Sequence, residues 1–425
     1  MPDRNPNKTV PTQVASIVSD EHALAVAREF VESIRGGAAR RDLEKVLPHQ
    51  EFADFTRSGL GILNVPRDLG GPEVSYRTLL ETIRLIASAD SSIAQIALTH
   101  WSGIEMLRRW APPALRERLL RRVILGDLLG NASKDARPSR SGDRHGTFLS
   151  LDENGARMSG EKAFATGSLL ADWLYVMCSS GKSAGSDLVA FIDVRRAGLA
   201  IHDNWDGVGQ RTTASGNVTL DSVFLDPGEY FEMTLTDSGE SALFSGVSHL
   251  LHSGIELGLG DGALRETLDI LRTEATPPRG SDAMAAVEDP LTLSAVGELV
   301  ISQHTAERAA FRAADTLDAA KASDRPHAGE VLFAVCEAKI VTERFALNSA
   351  TTLFELCGSR VATRSRNLDR YWRDARTHSL HDASRWKTVT LGQAALNGRR
   401  PDAFTLGHPF TAITPQEPSV AAVAD

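Results

Sequence analysis

Residues 328–358 read AGEVLFAVCEAKIVTERFALNSATTLFELCG, with apolar side chains recurring at helical spacing over about 30 residues, longer than a typical single helix. Small residues (Ala, Ser) line the apolar stripe, which lets a neighbouring helix approach closely, as in a bundle. Two upstream segments share this texture: Gly246–Thr273 (GVSHLLHSGIELGLGDGALRETLDILRT) and Pro290–Ala322 (PLTLSAVGELVISQHTAERAAFRAADTLDAAKA). The spacing therefore predicts a bundle of long helices over the C-terminal part, residues 233–405.

Working towards the N-terminus, the texture changes. Between about Gly130 and Pro227, short β-type runs alternate with Gly- and Asp-rich turns: FLSLDENGARMSG, DWLYVMCSS, DLVAFIDV, LAIHD and GNVTLDSVFL. Asp152-Glu153-Asn154-Gly155 reads as a hairpin turn. These runs predict a small antiparallel barrel or sandwich over residues 130–232. Before it, residues 18–129 read as an all-helical block. Ser19 or Asp20 caps EHALAVAREFVESIR, Gly36-Gly37 stop it, Ser75 precedes YRTLLETIRLIASAD, and Pro112-Pro113 open ALRERLLRRVILGD. Residues 1–17 and 406–425 read as loose arms. The fold class is thus α+β and mostly α.

The 425 residues carry 46 Lys and Arg against 55 Asp and Glu, a formal charge of −9, which argues against a nucleic-acid surface. At 42% hydrophobic and 24% charged the chain is an ordinary globular mixture. Cys178, Cys336 and Cys357 form no CxxC, which suits a reducing compartment and neither a disulfide framework nor a zinc site. The N-terminus shows no apolar signal region, and no stretch nears the ~20 apolar residues of a membrane span. A cytoplasmic protein, apart from membranes, is expected.

The order of helical block, β domain and long-helix bundle resembles the acyl-CoA dehydrogenase fold, from about Glu21 to Phe404. The similarity is carried by Gly59–Gln95, by Gly160–Val176 (GEKAFATGSLLADWLYV), by Trp205–Val223 (WDGVGQRTTASGNVTLDSV), by Glu288–Leu299 and above all by Asn367–Lys387 (NLDRYWRDARTHSLHDASRWK). Acyl-CoA dehydrogenases place a catalytic Glu near that last region. Here it reads RTHSLHD, the signature of the oxygenase branch that includes dibenzothiophene monooxygenase-like enzymes. The resemblance implies the oxygenase half of a two-component system. A separate NAD(P)H-dependent reductase supplies reduced flavin, O2 adds to form a C4a-hydroperoxide, and one oxygen passes to a small organic substrate, with sulfur oxidation favoured. ELCGSR lacks the Gln and paired glycines that support the adenine half of FAD, so FMN is expected and FAD less so. No GxGxxG opens a βαβ unit, so NAD(P)H is not expected to bind here.

The resemblance also implies site residues, each of which has a plain structural alternative. His381, then His378, suit the proton step, since an imidazole titrates near neutrality; as a pair they also suit a buried polar network between helices. Thr166 and Ser168, in FATGS, lie where the family's strand passes the flavin edge, or are turn hydroxyls. Asn131 reaches the flavin or caps a turn. Trp205 walls the ring and the substrate pocket, or fills core. His100 and Trp101 floor the pocket, or belong to the core. Arg279 anchors the phosphate as a guanidinium fork, or is a solvated loop residue. Gly358 and Ser359 meet the cofactor of a neighbouring subunit, or cap a helix. No metal ligand set appears. The long apolar stripes suit a homotetramer. Other outcomes are an N-oxygenase of an amine or amino sugar, an acyl-CoA dehydrogenase with a relocated base such as Glu256, and a flavin-free scaffold.

Overall fold

The computed structural model describes residues 14–137, 145–152, 155–179, 187–233, 239–323 and 328–398. Six helices come first: α1 (Asp20–Arg35), α2 (Ala38–Glu44), α3 (His49–Arg57), α4 (Tyr76–Ala89), α5 (Ser91–Trp110) and α6 (Pro113–Ile124). Their starts follow from capping. The Ser19 hydroxyl accepts from His22 N–H, Ser75 from Thr78 N–H, and the Asp90 carboxylate from Ser92 and Ile93 N–H, each filling amides that a helix leaves open. The arm expected over residues 1–17 is ordered at its end: Ala15 N–H donates to Arg57 O at 2.8 Å and Ile17 is buried. Residues 1–13 lie outside the described residues, as do 399–425.

Among the described residues eight strands follow: β1 (Leu129–Ala132), β2 (Phe148–Asp152), β3 (Gly155–Lys162), β4 (Trp173–Cys178), β5 (Asp187–Asp193), β6 (Leu199–Ile201), β7 (Val218–Leu225) and β8 (Tyr230–Met233). They form two four-stranded sheets, ordered β1-β4-β5-β8 and β2-β3-β7-β6. The antiparallel expectation needs one correction, because β1 runs parallel to β4. The chain enters the β domain straight from α6 along the β4 edge and leaves before β4 is made, so no hairpin joins the two. Asp152 pairs with Gly155 as a hairpin requires, and the turn residues 153–154 fall outside the described residues.

One buried cation ties the sheets together. Lys162, at the end of β3, has no solvent exposure; its Nζ donates to Ser133 O at 3.1 Å, Asp135 Oδ1 at 2.8 Å and Met177 O, on β4, at 2.5 Å. Asp135 also accepts from the Thr147 hydroxyl and contacts His145, whose other nitrogen meets Asp187. Burial pushes the Asp135 carboxyl up, but the His145 and Lys162 contacts outweigh it and hold it well below the usual range.

The C-terminal bundle consists of α7 (Gly239–Thr273), α8 (Pro290–Lys321), α9 (Ala328–Cys357), α10 (Asp369–Ser379) and α11 (Ser384–Asn397). α7 is buried through most of its length, including Leu250, Leu251, Ile255, Leu257 and Leu259. It packs between α4 and α9. Gly260 makes the α7–α9 approach possible, since a Cβ there would stand 2.3 Å from the Phe345 ring. With an apolar helix surrounded on all sides, any polar side chain on α7 must find a partner inside the protein. That condition creates the site.

Lys162→Met should cost ~1–3 kcal/mol, because it removes the buried ammonium from Asp135, which keeps only His145 and Thr147 as partners, and leaves the Ser133 and Met177 carbonyls without their donor. Urea unfolding measures this, and a midpoint equal to that of the unaltered protein would contradict the staple.

Candidate flavin site and its imidazole cluster

The β domain contributes a hydroxyl-lined corner. After β3 the chain turns at Phe164, whose φ of 53° tips its ring outward to 58% exposure, edge-on to Trp205 with centroids 6.0 Å apart. Thr166 and Ser168 follow, both buried. Thr166 Oγ1 lies 2.9 Å from Ser215 Oγ, which lies 2.7 Å from Thr213 Oγ1; the Ser168 hydroxyl donates to Ala214 O at 3.2 Å. Asn131 joins the corner from β1: its N–H donates to Thr166 O at 3.0 Å, and its side-chain oxygen accepts from Ser133 N–H at 2.8 Å. Asn131, Thr166, Ser168 and the loop carrying Trp205 are therefore brought together.

The same loop is clamped to α10. Gln210 O accepts both the Trp205 indole N–H (2.9 Å) and the Thr213 hydroxyl (3.0 Å), while Gln210 N–H donates to Asp374 Oδ1 at 2.6 Å. Gly209 N–H donates to the Thr377 hydroxyl at 3.0 Å, and a Cβ on Gly209 would stand 2.1 Å from Arg373 O, so only glycine lets the loop lie this close. The other Asp374 oxygen accepts from the Ser91 hydroxyl at 2.8 Å, bringing in α5.

α10 thus carries Asp374 and Thr377 on the β-domain side and His378 on the bundle side. His378 is 1% exposed. Its Nδ1 lies 3.2 Å from Glu256 Oε1 and its Nε2 lies 2.9 Å from His252 Nδ1, both on α7. Glu256 is fully buried and ion-paired with Lys339 of α9, with Thr342 Oγ1 3.0 Å from its second oxygen. Burial raises the Glu256 carboxyl, but Lys339 and His378 outweigh it and keep the group below its ordinary pKa. His381, on the turn after α10, is exposed, and its ring lies against the His252 ring with centroids 4.0 Å apart and planes 30° off parallel. Crowding by protein atoms, then the nearby His378, pull its pKa down to about 4, so it is a neutral acceptor at pH 7.

The other expected residues fall elsewhere. His100 and Trp101 lie in the packed interior around α5. They are 1% and 0% exposed; His100 Nε2 meets Gly61 O at 2.8 Å, its Nδ1 accepts from Leu129 N–H at 3.0 Å, and the Trp101 indole donates to Leu60 O. Both pin α5 to the backbone around it, which fits a core role. Arg279 is exposed in the loop after α7. Gly358 takes φ 73° and donates to Phe354 O at 3.1 Å, closing α9 as a C-cap, with Ser359 exposed in the following turn. Val361 and Arg364, just beyond, line a groove of about 770 Å³ with Val208, Arg211 and Arg373.

An isoalloxazine needs an apolar platform and both donors and acceptors along its pyrimidine edge. The corner offers these: the outward Phe164 ring with Trp205 and Val208, and hydroxyls at Thr166 and Ser168. The bordering segments hold two buried amide atoms without a partner among the described residues, Gln210 Nε2 and Gln95 Oε1. The residues present fit a flavin. No group of three His, Cys, Asp or Glu among the described residues is disposed to hold a metal. No described helix is long and apolar enough to cross a membrane.

A helical block, a two-sheet β domain and a long-helix bundle meeting at a hydroxyl-lined corner define the class, and the sequence agrees. Residues 19–127 match the family description "Acyl-CoA dehydrogenase, N-terminal domain" and residues 250–386 match "Acyl-CoA dehydrogenase, C-terminal domain"; the chain belongs to this family. Its relatives lie in the monooxygenase branch. A dibenzothiophene monooxygenase of Rhodococcus qingshengii is 31% identical over 400 residues, spanning 90% of this chain and 95% of the relative. A probable FMNH2-dependent monooxygenase, SfnC, of Pseudomonas putida is 29% identical over 388 residues, 89% and 96% of the two chains. The crystal structure of FMN-bound TdsC from Paenibacillus sp. A11-2 superposes with a TM-score of 0.83 at 30% identity, covering 90% of this chain and 98% of that one.

The seam between β domain and bundle should be pH-sensitive. Burial, and then the Asp42 carboxylate, raise the Asp374 pKa from 3.8 to about 7. A folded pKa above the unfolded one means that the contribution is complete below pH ~4. It then falls by about 1.4 kcal/mol per unit as pH rises towards ~7. Asp374→Asn keeps an acceptor for Gln210 N–H and offers Ser91 a donor. Its stability should vary less between pH 5 and 7 than that of the unaltered protein, as read by urea unfolding. Equal slopes would contradict the seam assignment.

Proposed function

We propose that this protein is the oxygenase component of a two-component flavin-dependent monooxygenase. It uses reduced FMN and O2 to oxygenate an organosulfur compound. The carrying observation is that one helix, α10, both docks the Thr166–Trp205 corner and leads into His381, a neutral imidazole where a dehydrogenase needs a carboxylate. Glu256, the acid available to the dehydrogenase reading, is fully buried and ion-paired, so it has no route to a thioester α-proton. The oxygenase relatives and the FMN-bound structural neighbour support the same choice.

When bound, reduced flavin supplies the two electrons that activate O2. The chain's own tasks are narrower. Phe164 and Trp205 wall the ring and exclude water; Thr166 and Ser168 orient its polar edge; Asn131 borders the same corner; His381 accepts or returns a proton beside the substrate. Arg279 is one candidate for the FMN phosphate. Arg211 and Arg364, which have no carboxylate partner among the described residues, are the others. Reduced flavin comes from a separate NAD(P)H-dependent flavin reductase in the cytoplasm. Exposed apolar side chains on α8 (Leu291, Leu293, Ile301) and α11 (Val389, Leu396) support assembly into a homotetramer.

His381→Ala should retain binding of reduced FMN and lose product by ~10²-fold or more, the usual weight of a positioned acid–base group. The assay supplies reduced FMN from an unrelated reductase and offers dibenzothiophene and a dialkyl sulfide, with product read by chromatography. Undiminished turnover in the variant would remove His381 from the chemistry.

A further inference from the structure

Behind His381 the bundle holds charged groups to which the oxygenation reading gives no task. α7 supplies His249, His252 and Glu256; α9 supplies Lys339 and Glu343; α10 supplies His378; the last turn and α11 supply His381, Asp382 and Lys387. Lys339 Nζ pairs with Glu256 and lies 3.3 Å from Glu343, which is 18% exposed; His249 Nδ1 lies 3.2 Å from Asp382, itself paired with Lys387. Two lysines and three carboxylates give this set one negative charge when its imidazoles are neutral, so it has room for one added proton.

The hydrogen bonds have a direction. The ionised Glu256 carboxylate only accepts, so His378 Nδ1 must carry a proton and donate. With its single proton placed at Nδ1, His378 presents a bare Nε2, and His252 then donates from Nδ1. The His252 ring is left with an open lone pair at Nε2, for which no partner exists among the described residues. That ring is 2% exposed and lies against His381.

We infer that His252 is a positioning residue and proton acceptor for this site, held by the His378–Glu256–Lys339 chain, its Nε2 lone pair unpartnered among the described residues and its ring packed against that of His381. A proton delivered by an acid that enters the site, a hydronium ion or a protonated substrate group whose own bond to hydrogen breaks, forms an N–H bond at His252 Nε2. The Nδ1–H bond breaks as its proton passes to His378 Nε2, and the positive charge comes to rest against the Glu256 carboxylate. One proton enters and none is lost, and no electrons move. Burial, followed by His381 and His378, keeps the His252 pKa well below 6.5, so the acceptor is empty at pH 7. The inference rests on the oxygenase reading for its purpose and on geometry for its existence.

The test begins with the flavin-free protein. Nitrogen-15 NMR of its histidines at pH 7 should show both His252 and His378 as the Nδ1–H tautomer, the one free histidine disfavours; Nε2–H at either ring overturns the chain. His252→Phe keeps the ring volume against His381 and removes both nitrogens. It should bind reduced FMN normally, lose product by ~10-fold or more, and change the shape of the pH–rate profile. An unaltered profile would assign His252 to packing alone. Should His252→Phe fold poorly, His378→Gln is read the same way, with His252 expected to lose its Nδ1–H preference. Failure of the oxygenase reading is told apart, because it appears as no product from the unaltered protein while the tautomers remain readable.

Discussion

The hydrogen bond from Gln210 N–H to the Asp374 carboxylate, 2.6 Å across the seam between β domain and bundle, is the constraint on which the rest of the site depends. Gln210 O gathers Trp205 and Thr213, Thr213 holds Ser215, and Ser215 holds Thr166. Asp374 also anchors Ser91, and the helix that carries it ends at Ser379, two residues before His381. A displacement at this contact therefore moves the Thr166–Trp205 corner and the imidazole together. Burying such a bond away from water is favourable only while both partners are satisfied, which is why the loop approaches through a glycine that leaves α10's backbone room.

The imidazole cluster shows how one scaffold is set for different proton chemistry. A dehydrogenase base must be an ionised carboxylate in reach of a substrate. Here the buried carboxylate, Glu256, is occupied by Lys339 and His378 and acts inward, fixing tautomers, while the group left at the open end is an imidazole. Crowding by protein atoms and the neighbouring imidazole and cationic groups disfavour a positive charge on that imidazole and leave it a neutral acceptor near pH 7, where a carboxylate in the same place would be charged.

Much of this was legible in sequence, for identifiable reasons. Helical periodicity and small-residue stripes marked α7, α8 and α9, and Ser75 marked the start of α4. RTHSLHD pointed to His378 and His381 because the motif is contiguous. The cluster around them was not legible. Glu256 meets Lys339 across 83 residues and His378 across 122, so nothing local announces the pairing. Two faint signals existed: His252 and Glu256 stand one helical turn apart in Leu250–Gly260, a stretch of α7 that is otherwise uncharged and mostly apolar, and Lys339 is a lone cation inside AVCEAKIV. His100 is ambiguous for the converse reason. A histidine on an apolar helix reads as functional or structural with equal ease until its two nitrogens are seen to hold Gly61 and Leu129. The parallel β1–β4 pair was likewise invisible, since pairing direction depends on where the chain enters the sheet.

The most direct measurement is a single turnover under ¹⁸O2: protein loaded with reduced FMN, mixed with an alkyl or aryl sulfide, quenched and read by mass spectrometry. The account predicts a sulfoxide carrying one oxygen atom derived from O2. Product oxygen derived from water would contradict it, and so would the absence of oxygenated product together with bleaching of the oxidised flavin by an acyl-CoA thioester.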